Sequence, residues 1–149
     1  MNAPQKYCNK CGRELVAGYT HFCTAGKSEI DPDGIDAHTP GAKLDAGKCR
    51  AGLVINGFAR ALTAVVDVGT YGADKYSDNG WAHVQNGQAR YTDAMYRHLL
   101  AEASGERLDK ETGLLHAAHA AWNAIARLDL MLRSEASRET IEGYLDECG

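Results

Sequence analysis

Downstream of Arg50, apolar residues recur at the three- and four-residue spacing of helices. Phe58, Leu62, Val65 and Val66 predict a helix from about Gly57 to Lys75, with two glycines in "VGTYGADKY" where it can bend or end early. "SDNGWAHVQNGQ" reads as a loop. A second helix is expected from about Ala89 to Ser104, with Asp93 and Arg97 paired across one turn. After the polar link "GERLDKETG", Thr112 can cap a third helix. Its apolar stripe would run through Leu114, Ala118, Ala121, Ile125, Leu128 and Leu132. "SRETIEGYLDECG" fits a short fourth helix capped by Ser137. No segment outside the Cys/His region alternates as a strand does, so the fold class is mainly α, a helical bundle. Alanine-rich stripes let helices approach closely, and a body this short draws part of its core from a second copy, a homo-oligomer of two or four chains.

Upstream the pattern changes. "YCNKCGRELVAGYTHFC" gathers Cys8, Cys11, His21 and Cys23, and the Gly/Asp/Pro-rich stretch after it lacks periodicity. The expected organisation is a metal-binding module over 1–26, a linker over 27–40 and a helical body over 41–149. Three thiolates and one imidazole complete a tetrahedral zinc shell, and a shell filled by protein ligands suits a structural Zn²⁺. Cysteines that merely pack, or a redox C-x-x-C, are the alternatives.

Composition narrows the class. The 149 residues carry a formal charge of -4 with a pI near 5.8, which argues against broad binding to nucleic-acid polymers or anionic membranes. No apolar run reaches membrane-spanning length and Met1 to Lys27 holds no signal-peptide core, so a cytoplasmic location is expected. Five cysteines, an odd number, in a reducing compartment favour metal binding over disulfides.

Three constellations carry chemistry. On the third helix His116, His119 and Asn123 share one sector, which borders the apolar stripe, and on the second His98 and Glu102 share a face. Glu106, Asp109 and Glu111 lie in the link. In an antiparallel hairpin the link carboxylates would approach His116, with His98 deeper, near the level of Asn123. One pocket could then hold a hard divalent cation and position water or phosphate. Solvated surface groups are the alternative for any one of these residues. In "KLDAGKCR", Asp45, Lys48 and Arg50 form a Gly-bearing loop able to bind phosphate or simply to solubilise the chain. In "YGADKYSDNGW", Tyr76 and Trp81 can stack on a base, or anchor a loop, while Lys75 and Asn79 fix polar groups.

In order, "GAKLDAGKCR", "VGTYGADKYSDNGW" and "RYTDAMYRHLLAEASGERLDKETGLLHAAHAAWNA" resemble the phage dATP/dGTP diphosphohydrolase family. That family is similar to MazG-type all-α nucleotide pyrophosphatases and includes MazZ-type enzymes. The resemblance spans roughly Gly41 to Arg133. It implies Mg²⁺- or Mn²⁺-dependent cleavage of a purine deoxynucleoside triphosphate between the α and β phosphates, giving dAMP or dGMP and pyrophosphate. It implies a site lined by Asp45, Lys48, Arg50, Lys75, Tyr76, Asn79, Trp81, Arg97, His98, Glu106, Asp109, Glu111, His116, His119 and Asn123.

All-α pyrophosphatases usually carry E-x-x-E on one helix and E-x-x-D on the next, and neither pair is intact here. The expected metal ligands are Glu106 and Asp109, then Glu102 and His116, with Glu111 or His98 orienting water. Lys48, Arg50 and Arg97 would take phosphates, and Trp81 with Asn123 the nucleoside. Two other readings stand beside this one: a non-catalytic zinc-containing regulator or adaptor that dimerises through its helices, and a different His/carboxylate phosphohydrolase. The HD type of the latter is disfavoured, because no His-Asp dipeptide occurs.

Overall fold

The computed structural model describes residues 30–147, with side chains to Ser134. The proposed zinc ligands Cys8, Cys11, His21 and Cys23 lie outside the described residues. Contacts divide the chain into two compact units, Met1–Ala51 and Gly52–Gly149.

In the first unit, residues 30–51 form successive turns around Asp31. Its buried carboxylate accepts N–H groups from Asp33 at 2.8 Å and Lys43 at 2.7 Å, clasping the two ends of the loop. The N–H of Lys43, then those of Asp33 and Ile35, hold the Asp31 carboxyl below its ordinary pKa against the opposing effect of burial. Asp45 pairs with Lys43 at 3.2 Å.

The second unit is helical. Its elements are α1 (Gly52–Ile55), α2 (Ala59–Lys75), a short 3₁₀ helix (Gly80–His83), α3 (Gly87–Ala103) and α4 (His116–Glu147). Among the described residues there are no strands, only an isolated antiparallel bridge between Leu108 and Leu115. No described helix is long and apolar enough to cross a membrane.

Helices α2 and α3 fall close to their expected bounds, and the glycines do not interrupt α2. Gly69 instead admits Trp122: a Cβ there would lie 2.9 Å from the indole nitrogen. The buried point of α2 is Val68, whereas Phe58 and Val66 are exposed, so the expected α2 stripe is rotated. Asp93 and Arg97 are not among the ion pairs of the described residues.

Helix α4 departs more. It runs through Ser137 without a break, so the separate fourth helix is not formed, and no Pro occurs along its length to stop it. Its buried residues are His116, Ala118, His119, Ala120, Asn123 and Ala126, so Ala118 of the expected stripe is buried while Ile125 and Leu128 are exposed. The polar sector thus lies in the packed seam itself, flanked by alanines small enough to bring α3 close.

Helices α3 and α4 make the largest contact of the unit. They run antiparallel: His98 meets His116 at one end, and Gln88 meets Leu130 and Ser134 at the other. The turn between them begins with a glycine C-cap. Gly105 has φ +93°, its N–H bonds Glu102 O at 2.9 Å, and the Glu106 N–H bonds Ala101 O at 3.0 Å. Gly105→Ala, forced into a left-handed backbone, is expected to cost about 1 kcal/mol or more, measured as a lower urea midpoint at unchanged slope.

Candidate active site

The Gly105 cap folds the chain back along α3 before α4 begins. Asp109 then organises the link. Its Oδ1 accepts N–H groups from Thr112 at 2.9 Å and Glu111 at 3.2 Å, and its own N–H bonds Leu114 O at 2.8 Å. Because the link doubles back, α4 opens beside His98 rather than beyond the end of α3. His98 therefore meets His116 and His119, not the level of Asn123 as expected from an unfolded link. Thr112 does not cap α4 either. The helix starts from the Leu115 carbonyl, while the Thr112 hydroxyl accepts Leu114 N–H at 3.2 Å and sits 2.9 Å from His119 Nε2.

Three imidazoles pack together here. His98 Nδ1 and His116 Nδ1 are 2.8 Å apart, and the His98 and His119 rings stack with centroids 4.4 Å apart. Donor atoms of His98, Asp109 and His116 all lie within 4.8 Å of one another. His116 is only 4% exposed, and its Nε2 is buried without a hydrogen-bond partner. The nearest carboxylate is that of Glu106, with Oε1 at 3.7 Å and Oε2 bonded to Lys110 at 3.1 Å. Glu102 is exposed on α3 and outside the three-donor set.

Burial, then the neighbouring His119 and His116, pushes His98 below the ordinary imidazole pKa; burial does the same to His119, with Asp109 opposing. Burial alone would raise the Asp109 carboxyl, but the N–H and hydroxyl of Thr112, His119 and the N–H of Glu111 hold it low. A lowered His98 beside a lowered Asp109 favours the neutral imidazole and ionised carboxylate that a divalent cation needs. The donor set of two imidazoles and a carboxylate thus fits a metal ion.

The lowered imidazoles have a consequence for folding. Below 6.5 the unfolded chain protonates these histidines before the folded one does. Their contribution to stability is complete above that value and is lost as pH falls toward the native pKa values. The thermal midpoint is expected to drop between about pH 7 and pH 5, ahead of carboxylate titration. A midpoint constant over that range would show these rings are protonated equally in both states.

Of the clustered side chains, His98, Asp109 and His119 line a cleft of about 1460 Å³ within the helical unit, whereas His116 and Glu106 do not. Tyr71, Lys75, Tyr76, Asn79, Trp81, Arg97, His98, Asp109, Glu111, His119 and Asn123 line it. Lys75 and Tyr71 both donate to Glu111, the latter at 3.0 Å. Those two donors lower the Glu111 pKa, and Glu111 raises theirs. Part of the lining is aromatic: Trp122 meets Trp81 and Tyr91 in T-shaped contacts at centroid distances of 6.4 and 5.6 Å, and the Tyr91 hydroxyl bonds Trp81 O at 3.0 Å. The Arg133 guanidinium lies 5.3 Å from the Trp81 ring centre. Asn123 is buried and donates to His119 O at 2.8 Å. Asp45, Lys48 and Arg50 belong to the other unit.

Four contributors went unassigned in the sequence: Tyr71, Tyr91, Thr112 and Trp122. Trp122 sits between His119 and Asn123 in "HAAWN", and that adjacency was the available signal. Tyr71 and Tyr91 depend on partners far along the chain, Glu111 and Trp122, whereas the partners of Thr112 lie within seven residues of it.

The helical unit thus brings imidazoles and a carboxylate to a concave site lined by aromatic side chains and by charges of both signs, among them Lys75, Arg97, Asp109 and Glu111, the form of a small-molecule pocket. Residues 38–139 match the sequence model described as dATP/dGTP diphosphohydrolase, N-terminal, and the chain belongs to that family. No curated protein and no solved structure matches it.

Proposed function

We propose that the chain is a metal-dependent dATP/dGTP diphosphohydrolase that releases pyrophosphate and the purine deoxynucleoside monophosphate. The observation carrying this reading is the convergence of His98, Asp109 and His116, of which His98 and Asp109 line a cleft that also presents Lys75, Arg97 and Trp81, in a chain of that family. A divalent ion held by the three donors would neutralise the triphosphate and acidify a bound water. Lys75 and Arg97 bind phosphate oxygens. Trp81, Tyr76, Asn79 and Asn123 bind the nucleoside. Glu111, ionised at neutral pH and exposed to the cleft, accepts a proton from or orients the attacking water.

Purified protein incubated with each common NTP and dNTP and a divalent cation is expected to yield pyrophosphate from dATP or dGTP. Orthophosphate as the first product would point to a different phosphohydrolase, and no metal-dependent loss of any nucleotide would point to a regulator or adaptor.

The same reading includes a structural zinc on Cys8, Cys11, His21 and Cys23, and a homo-oligomer. Tyr96, Leu99 and Leu100 form an exposed apolar stripe on α3, and Ile125 with Leu128 another on α4. A second copy would cover such stripes. Light scattering should give a mass of at least two chains, and metal analysis one zinc per chain.

A further inference from the structure

The donor set is unusual for a centre that would work with Mg²⁺. Mg²⁺ prefers oxygen ligands, keeps its waters and binds imidazole poorly. Two of the three convergent groups here are imidazoles. Imidazole donors suit the first-row transition ions, whose affinity for nitrogen sites rises from Mn²⁺ toward Cu²⁺. The 2.8 Å between His98 Nδ1 and His116 Nδ1 matches the roughly 3 Å that separates adjacent ligands of one ion at ordinary metal–nitrogen lengths.

Ligation through Nδ1 also accounts for the other side of the His116 ring. Its proton then resides on Nε2, the buried nitrogen without a partner, which faces Glu106 Oε1 at 3.7 Å. A carboxylate behind a ligating imidazole fixes the tautomer and raises the basicity of the ring. The Gly105 cap delivers Glu106 to that place, with its second oxygen on Lys110. Glu106 thereby faces the far side of the His116 ring from the three-donor set.

We propose that His98, His116 and Asp109 form a nitrogen-rich centre that takes Mn²⁺ or a later first-row ion in preference to Mg²⁺, with Glu106 a positioning residue for His116 rather than a ligand. The proposal rests on the metal-dependent reading above, but its test needs no nucleotide, so the two can fail separately.

Full-length protein is titrated with Mn²⁺ alone, and bound ion is followed by electron paramagnetic resonance. Pulsed measurements on the bound ion are expected to show coupling to two imidazole nitrogens. Mg²⁺ in about 100-fold excess is expected to leave most Mn²⁺ bound, the preference that imidazole donors impose. Displacement near parity, or a spectrum without nitrogen coupling, overturns the proposal even if dATP is hydrolysed. His98→Gln is expected to leave one nitrogen coupling. Asp109→Asn, which keeps both rings, serves as a second variant and should weaken Mn²⁺ while preserving two couplings. Glu106→Gln is expected to retain one ion with both couplings and to lower Mn²⁺ affinity about 10- to 100-fold, the range for a carboxylate behind a ligating histidine. Unchanged affinity, or a lost coordinating oxygen, in Glu106→Gln removes the positioning role.

Discussion

Asp109→Asn is expected to lower pyrophosphate release by on the order of a thousandfold, the scale on which charge stabilisation in a preorganised site operates, while leaving helix content unchanged. The separation of the two effects follows from the geometry. Asp109 Oδ1 accepts the N–H groups of Thr112 and Glu111, and this shapes the link. An amide oxygen accepts the same two bonds, so the turn survives. The amide carries no charge, so the site loses the one carboxylate among its three convergent donors. Product formation resolved by chromatography, with circular dichroism of the same sample, decides the matter. Near-wild-type rates would remove Asp109 from the chemistry, and loss of helix content would make its role structural.

Trp122→Ala is expected to destabilise the protein by about 3 kcal/mol, the low end for deleting a packed indole, because the ring is only half-buried. Its edge meets Trp81 and Tyr91, and Gly69 leaves it room against α2. The indole therefore ties α4 to α2, to α3 and to the 3₁₀ turn that carries Trp81. Without it that turn loses its anchor, and nucleotide affinity should fall along with the urea midpoint. If the midpoint drops and affinity does not, the aromatic wall supports the fold without ordering the ligand side chains.

Sequence reading located α2 and α3 because their periodicity is local and their ends carry Gly, Lys or Ser signals. Of the three convergent donors, Asp109 and His116 were expected as ligands and His98 as a water-orienting group, while the expected ligands Glu102 and Glu106 stand outside the set. Sequence reading missed the depth of His98, which depends on how far the link doubles back. That distance is set by the Gly105 cap and the Asp109 turn, both tertiary in effect. It also placed the α4 seam only in part, with Ala118 of the expected stripe buried. Ile125 and Leu128 read as core by hydrophobicity, yet they face outward. The contact with α3 includes small and polar residues, which hydropathy ranks below leucine, beside Trp122 and Leu130. The Thr112 hydroxyl was given the capping role typical of its type, when its partner is the His119 ring.

The packed face of α4 has one more consequence. The most buried side chains of the helical unit are Val68, Ala118, Ala120 and Ala126 on the apolar side and His116, His119 and Asn123 on the polar side. A seam so dependent on imidazole and amide groups gains cohesion from whatever neutralises or bridges them. Any ligand that binds the folded form alone adds about 2.7 kcal/mol at a hundred times its dissociation constant. The fold is therefore its own sensor: a rise in melting temperature across a panel of ions and nucleotides ranks the molecules this seam is built around, before a single turnover is measured.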